Sequence, residues 1–354
     1  MKKPLVSVVM VTCNVERFLA EAIDSILNQS CRDFEFVIVD FGSTDRSMEI
    51  IANYAAKDSR VKLHQAPHCA LPAARNAACA LAHGQYLAVM DADDVAAPDR
   101  LKWEIDFMER NPEVGLLGGA TEWIDAAGRV LRQDRFPAQD REIKAALEAR
   151  FPFCHPTALI RKEAFALAGG YRPAFVVAHD YDLFLRISEH YRCANLEEVV
   201  LRYRIHPYQV SMHKRRQQTI CKIAAAASAS ARRSGNPDPL DSTGTITSQT
   251  LLRLGVSETR LVNDVAAELR QWIRHMRLAG EHSAALNAAV EFLRSDLTQI
   301  EAWQVADLRL TVASVYWSQS RFMRSLVAAG RALATRPAAA ARPFFKRLMR
   351  RSRP

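Results

Sequence analysis

No stretch of this 354-residue chain approaches the ~18 consecutive uncharged apolar residues of a membrane-spanning helix. The opening residues, Met1-Lys2-Lys3-Pro4, run at once into a short apolar segment without the length or the small-residue cleavage site of a signal peptide. The seven cysteines are scattered with no Cys-Xaa-Xaa-Cys pair. That argues against a zinc site or a disulfide framework and for reduced thiols in the cytoplasm. No Gly-Xaa-Gly-Xaa-Xaa-Gly follows the first apolar run, which excludes a nicotinamide dehydrogenase. Thr12-Cys13-Asn14-Val15-Glu16-Arg17 contains no glycine, where a sugar nucleotidyltransferase would carry a glycine-rich loop with Arg and Lys. Acidic residues are missing after residue 320, where ten Lys or Arg fall, and residues 1–320 keep 38 basic and 39 acidic side chains. The formal charge of +9 therefore belongs to the end of the chain. The neutral body is unlike a nucleic-acid reader. The cationic end, interleaved with apolar residues, reads either as an anchor for an anionic membrane surface or as a disordered basic tail.

What is present fits a soluble globular protein, 49% hydrophobic and 25% charged, long enough for one large α/β domain and a smaller helical one. The first ~125 residues alternate strand and helix patterns, as a parallel sheet with crossovers does. Val6-Ser7-Val8-Val9-Met10-Val11 reads as a buried strand, and Phe18, Ala22, Ile23, Ile26 and Leu27 follow at helical spacing. Residues 34–40 and 61–64 read as the next strands, with Ser43 or Thr44 placed to cap the helix between them. An Ala-rich helix is predicted over 71–83, stopped by Gly84, then a strand over 86–90, then a helix opened by Pro98 and running to about Asn111. Further strands are expected over 114–124, 157–160 and 198–205, a strand pair near Gly128, and helices near Ala145 and over 180–190. After Ser211 the chain turns helical and Ala-rich, breaks in a linker over 234–247, and continues as amphipathic helices over 248–333 with no clean repeat.

Asp91-Ala92-Asp93-Asp94 follows directly on the apolar run Tyr86-Leu87-Ala88-Val89-Met90. A strand that empties into clustered carboxylates puts negative charge at the carboxyl edge of a sheet, where open α/β sheets bind their ligands. Carboxylates one residue apart there can share one hard cation, and that cation can hold a diphosphate. Taken alone, the same residues also read as an acidic turn ahead of a helix. Around them stand Val6-Ser7-Val8-Val9-Met10 with Asn14, Asp40 with Gly42-Ser43-Thr44-Asp45, and Ala73-Ala74-Arg75-Asn76. Pro98-Asp99-Arg100, His155-Pro156-Thr157, Asp180-Tyr181-Asp182 and Tyr203-Arg204-Ile205-His206-Pro207 follow. In that order and spacing, over residues 4–212, the chain resembles family 2 glycosyltransferases with a GT-A fold.

The resemblance implies a mostly parallel α/β sheet flanked by helices, with a small helical region after it. It implies a metal-dependent, inverting transfer of a sugar from a nucleoside-diphosphate sugar to a hydroxyl of a glycan or lipid-linked acceptor, in cell-surface polysaccharide or lipopolysaccharide synthesis. It assigns Asp93 to Mg²⁺ or Mn²⁺, with Asp91 helping the metal or holding the ribose. Oxygen ligands suit those ions, which would stabilise the leaving diphosphate. Asp94 is left between this site and a turn cap. Val11, Asn14, Asp40 and Phe41 belong to the ends of the first two strands, where nucleobase and ribose would lie. Arg75 neutralises a carboxylate or a phosphate, unless it is a solvated helix charge. Asp180, at a helix N-terminus that favours its anion, is the general base for the acceptor hydroxyl or else a plain cap. Asp182 then bonds to backbone behind it, and Gly169-Gly170-Tyr171 is a flexible turn bordering the acceptor. His206 is a ligand of the metal or diphosphate, or structural. His155 is structural at a strand entry, and His179 and His213 are given no role.

Three positions depart from the family pattern. Phe41 stands where a second acid usually helps to read the base; its ring can stack but cannot accept a hydrogen bond. The usual preference for uridine is weakened accordingly, and a catalytically silent sugar-nucleotide-binding or scaffold protein becomes the alternative. His179 stands where Glu is common and Ala70 where Gly is common. The expected organisation is a GT-A domain over 1–212, helix and linker over 213–247, a helical region over 248–333 and a basic, membrane-associating tail over 334–354. The expected location is the cytoplasm, at the inner face of the membrane, with no nucleic-acid partner.

Overall fold

The computed structural model describes residues 3–148, 151–206, 214–319 and 321–335. The basic tail beyond residue 335 lies outside the described residues, as do Pro207 and His213. Among the described residues one sheet has nine strands. β1 (Val6–Thr12), β2 (Phe34–Asp40), β3 (Val61–Gln65) and β4 (Tyr86–Asp91) run parallel in the order β3-β2-β1-β4. Beyond β4 the sheet continues through β8 (Leu159–Arg161), β6 (Val114–Ile124) and β9 (Arg192–Arg204) to β5 (Val95–Ala96), and β7 (Val130–Asp134) pairs with β6. β8 is antiparallel to both neighbours, while β6 and β9 are parallel.

Every residue of β1 is buried, as expected of a parallel strand covered on both faces. Helix Glu16–Leu27 packs Phe18, Leu19, Ala22, Ile23 and Ile26 into the core, the stripe that the sequence spacing predicts. They join Val8, Met10, Phe36, Ile38, Ala88 and Met90 from the strands. Helix Leu71–Leu81 returns the chain to β4 through Gly84, where a Cβ would lie 2.5 Å from the main-chain nitrogen of Ser7. Only glycine permits that approach.

Several local expectations shift. The helix predicted over 71–83 stops at Leu81, and the His83 N–H donates instead to Glu35 at 2.6 Å. Pro98 does not open the next helix, Arg100–Arg110; its carbonyl accepts from the Ser30 N–H at 2.9 Å. Neither Ser43 nor Thr44 caps helix Ser47–Ala55, because Asp45 accepts from the Ser47 N–H at 3.0 Å. His155 stands in a 3₁₀ turn, His155–Thr157, ahead of β8. β9 begins at Arg192, earlier than expected, because it follows β6 in parallel register along its length.

The chain forms two compact units, Met1–Arg204 with Cys221–Thr247, and Ile205–Ile220 with Ser248–Pro354. The stretch that reads as a linker has buried Leu240 and Ile246. Its Asp238 accepts from Arg172 at 2.8 Å and from Arg232 and Ser228. The second unit is helical, with Glu258–Leu278, His282–Phe292, Ala302–Ser318 and Phe322–Thr335 as its longer elements beyond residue 248. Among the described residues no helix is long and apolar enough to cross a membrane.

Candidate active site

β1 lies between β2 and β4, so strand order reverses there, and open α/β sheets take their ligands beyond the carboxyl ends of the strands at such a point. In register, Val11 of β1 stands beside Val39 on one side and Asp91 on the other, and Thr12 beside Asp40. The sheet thus brings Val11, Asp40 and Asp91 to one edge.

The two loops leaving β1 and β2 are laced together. Asn14 has φ +54°. Its Oδ1 accepts from the Thr44 N–H at 2.7 Å and the Asp45 N–H at 3.3 Å, while its own N–H donates to Ser43 Oγ at 3.0 Å. Asp40 is buried and accepts from the N–H groups of Gly42 at 3.1 Å and Ser43 at 3.0 Å, and from the Ser43 hydroxyl. Both polar side chains are used by the loops themselves and fix the rim at that edge. Phe41 is half-buried, with its N–H on the Thr12 carbonyl at 3.1 Å.

At the end of β4, Asp91 accepts from Arg75 Nη2 at 2.7 Å. Arg75 is buried, so it is not a solvated helix charge. Burial works against its charge, but Asp91, Tyr171 and Asp180 outweigh that and hold the guanidinium protonated. Asp93 is half-buried. Asp94 is 1% exposed; its Oδ1 accepts from the main-chain N–H of Arg204 at 2.8 Å and its Oδ2 has no partner. Burial, then the charges of Asp93 and Asp91, push Asp94 well above the usual carboxylate range. Arg204 ties this turn down: its Nε donates to the Asp93 carbonyl at 2.8 Å and its Nη2 to Glu21 at 2.6 Å. Asp94 therefore pins the acidic turn to the end of β9.

The helix that carries Arg75 also organises the other wall. Asn76 Nδ2 donates to the Tyr171 carbonyl at 2.7 Å, and its Oδ1 accepts from the Tyr171 N–H at 2.9 Å. Gly170, at φ +69°, could not carry a Cβ, which would fall 2.9 Å from Asn76 Oδ1. The Tyr171 hydroxyl meets His155 Nε2 at 3.0 Å. Against these two rings stands His179, edge-on at 5.3 Å from Tyr171 and 5.7 Å from His155. It opens helix His179–Ser188 after Ala178, whose φ of +53° is a left-handed conformation that costs an L-residue about 1–2 kcal/mol. Asp180 follows in the first turn and is half-buried. Burial raises its affinity for a proton, against the Tyr181 N–H and the charges of Arg75 and Lys222. Asp182 does not bond to backbone, as the sequence suggested. It is fully buried and accepts from Arg172 Nε at 3.0 Å and Arg186 Nη2 at 2.6 Å.

Asp91 and Asp180 thus act on one buried arginine from two walls of one site. Burial first, then Cys79, and less strongly the same two anions raise the Tyr171 phenol, against the charge of Arg75. His206 is buried just beyond β9. Among the described residues no three His, Cys, Asp or Glu side chains are grouped to hold an ion. Asn76, Tyr171 and Arg204 lie within motifs read from the sequence, yet their individual roles were missed because each depends on a partner far along the chain.

Residues 7–167 match the family model described as Glycosyl transferase family 2. An uncharacterized glycosyltransferase of Methanocaldococcus jannaschii is 36% identical over 210 residues, covering 58% of this chain and 72% of the relative. The O-antigen biosynthesis glycosyltransferase WbnJ of Escherichia coli is 32% identical over 206 residues, covering 57% and 80%. In fold, the chain resembles S. aureus TarS 1–349, solved in complex with UDP-GlcNAc, at a TM-score of 0.54 and 17% identity over 92% of this chain and 89% of that one. That mixed α/β sheet flanked by helices is the GT-A architecture. By sequence kinship over more than two thirds of such relatives, the chain belongs to glycosyl transferase family 2 and is a glycosyltransferase.

Proposed function

We propose that the chain moves a sugar from a nucleoside-diphosphate donor to a hydroxyl of a glycan or lipid-linked acceptor, with inversion, in cell-surface polysaccharide or lipopolysaccharide synthesis. The observation that carries this reading is Arg75, bonded to Asp91 at the strand edge and holding down Asp180 on the opposite wall. Val11, Asn14, Asp40 and Phe41 form the rim for the nucleoside, with Asp40 and Asn14 acting through the loops they hold. Asp180 takes the proton of the acceptor hydroxyl as its oxygen attacks. Its raised proton affinity makes it a better base than a solvated carboxylate, because a base works best with a pKa nearer the working pH. The charge of Arg75 opposes the rise that burial causes.

The residues at the strand edge fit Mg²⁺ or Mn²⁺. Asp93 and Asp91 offer hard oxygens, and burial first, then the negative charge of those two, raises the proton affinity of Asp94 beside them. Such an ion needs only one or two carboxylates when phosphate oxygens and water complete its shell. His206 is not required for that set. When bound, the ion would offset charge on the departing diphosphate.

Contact with an anionic membrane belongs to the same reading. Helix Phe322–Thr335 exposes Met323, Leu326 and Val327 beside Arg324 and Arg331, and no acidic residue follows in the chain. The catalytic reading is tested by Asp180→Asn. Calorimetric donor binding is expected to stay near wild type, while turnover falls by ~10²-fold or more. Near-normal turnover would remove Asp180 as the base, and full wild-type activity in chelator would remove the metal.

A further inference from the structure

Asp91 closes β4 and is held by the register that sets it beside Val11 and by its ion pair with Arg75. Asp93 lies between β4 and β5, where no strand register fixes its backbone. Arg204, the last residue of β9, reaches it there. Arg204 is 2% exposed, and its Nε donates to the Asp93 carbonyl at 2.8 Å. Its main-chain N–H donates to the Asp94 carboxylate at 2.8 Å. The rest of the guanidinium is anchored away from the turn. Nη1 donates to the Asp125 carbonyl at 3.3 Å, Nη2 donates to Glu21 at 2.6 Å, and the Phe18 ring centroid lies 4.8 Å from Cζ. One buried cation thus ties the acidic turn to helix Glu16–Leu27 on one side and to the loop after β6 on the other. A buried ion pair is weak evidence of stability, because apolar residues of similar volume often serve as well. What arginine adds is direction: its planar fork of five N–H groups reaches acceptors on three segments at once.

We propose that Arg204 is a positioning residue for the divalent ion: by holding the backbone of Asp93 against Glu21 and the loop after β6, it fixes where the Asp93 carboxylate meets the ion beside Asp91. The inference rests on the glycosyl-transfer reading and on Asp93 and Asp91 as the ion's ligands. Arg204 lies beyond residues 7–167, the span that matches the family model, so an acidic turn inside that span is braced from outside it. An ion held by one or two carboxylates depends on the placing of each, and Mg²⁺ demands near-ideal geometry. Groups that orient a metal ligand from behind commonly matter almost as much as the ligand itself. Asp91 keeps its own supports from β1 and Arg75, so loss of Arg204 loosens one ligand of the two. Ion binding is then weakened rather than abolished. Lysine cannot take over, because its single nitrogen cannot span acceptors on three segments.

The test compares wild type with Arg204→Lys and with Glu21→Ala, which removes one anchor of the guanidinium at a half-exposed side chain. Mn²⁺ binding is followed by electron paramagnetic resonance, alone and with UDP or GDP. Calorimetry gives nucleotide binding in chelator, and thermal denaturation checks that each variant folds. Arg204→Lys is expected to bind Mn²⁺ beside the nucleotide about 10- to 100-fold more weakly, and Glu21→Ala by a smaller factor. Nucleotide binding in chelator stays as in wild type. Donor hydrolysis then needs correspondingly more Mn²⁺ for half-maximal rate, while kcat at saturating Mn²⁺ largely recovers. A folded Arg204→Lys with wild-type Mn²⁺ affinity overturns the inference. If Arg204→Lys does not fold, Glu21→Ala decides, and wild-type Mn²⁺ affinity there overturns it. So does a loss of nucleotide binding in chelator as large as the loss of Mn²⁺ binding, which would mark a merely structural role. A wild type that binds no Mn²⁺ with either nucleotide refutes the metal reading itself, and the inference with it.

Discussion

At the scale of single residues, His155 and His179 meet at right angles inside a wall that neither can leave when the pH falls. Burial, and then the charge of Arg75, depress the proton affinity of both well below that of a free histidine. In the unfolded chain each binds a proton near pH 6.5. Their contribution to stability is therefore fully present above pH 6.5 and is lost as the pH falls through 6.5 toward the folded values. Each histidine should cost about 1.4 kcal/mol per pH unit across that window. Urea denaturation at pH 7.0, 6.0 and 5.0 checks this. The double variant His155→Gln, His179→Gln is expected to show a flatter profile, and an equal slope in both proteins would contradict the assignment. The two unpaired nitrogens of His179 and the unpaired Oδ2 of Asp94 belong to the same pattern, each leaving a buried polar group unsatisfied at about 1–3 kcal/mol.

At the scale of elements, two helices carry the site. Helix Leu71–Leu81 contributes Arg75 to the acidic strand and Asn76 to the turn ahead of Asp180, so one rigid rod sets both walls. Helix His179–Ser188 is aimed by a left-handed alanine and held from behind by Asp182, between Arg172 and Arg186. Only glycine adopts that conformation without strain. Ala178→Gly is therefore expected to raise stability by about 1 kcal/mol, read as a higher Tm. It should lower turnover, because glycine lets the first turn and Asp180 wander. A variant with unchanged Tm and unchanged turnover would show that the strain at Ala178 has no consequence.

At the scale of the molecule, the compact unit that holds the site extends past β9 to include residues 221–247. Arg172 bridges Asp182 and Asp238, and Arg232 bridges Asp238 and Glu189. Cutting the chain after residue 212 removes Asp238 and Arg232 and leaves Glu189 without its Arg232 partner. A fragment of residues 1–212 should lose about 3 kcal/mol or more and a fragment of 1–247 much less. Thermal denaturation separates the two, and equal stability would detach 221–247 from the catalytic unit. The 1–247 fragment should still hydrolyse donor but float less with phosphatidylglycerol vesicles than the full chain. Undiminished flotation would exclude helix Phe322–Thr335 as the membrane contact.

The parallel strands, the buried stripe of helix Glu16–Leu27 and the carboxylates ending β4 were legible in the sequence, because each is written in local periodicity and burial follows from it. Arg75, Asp91 and Asp180 were legible as types in an order. That Arg75 faces both acids was decided by the sheet order that sets β4 beside β1. The reach of Arg204 from the end of β9 to the Asp93-Asp94 turn joins residues 110 positions apart, and no local pattern encodes such a pairing. The same holds for Asp182, claimed by two arginines instead of backbone, and for residues 234–247, which read as a linker until Asp238 finds Arg172. His179 is the extreme case: as a letter in a sequence it is a histidine beside an acid, and only three-dimensional packing leaves both of its nitrogens buried and unpaired.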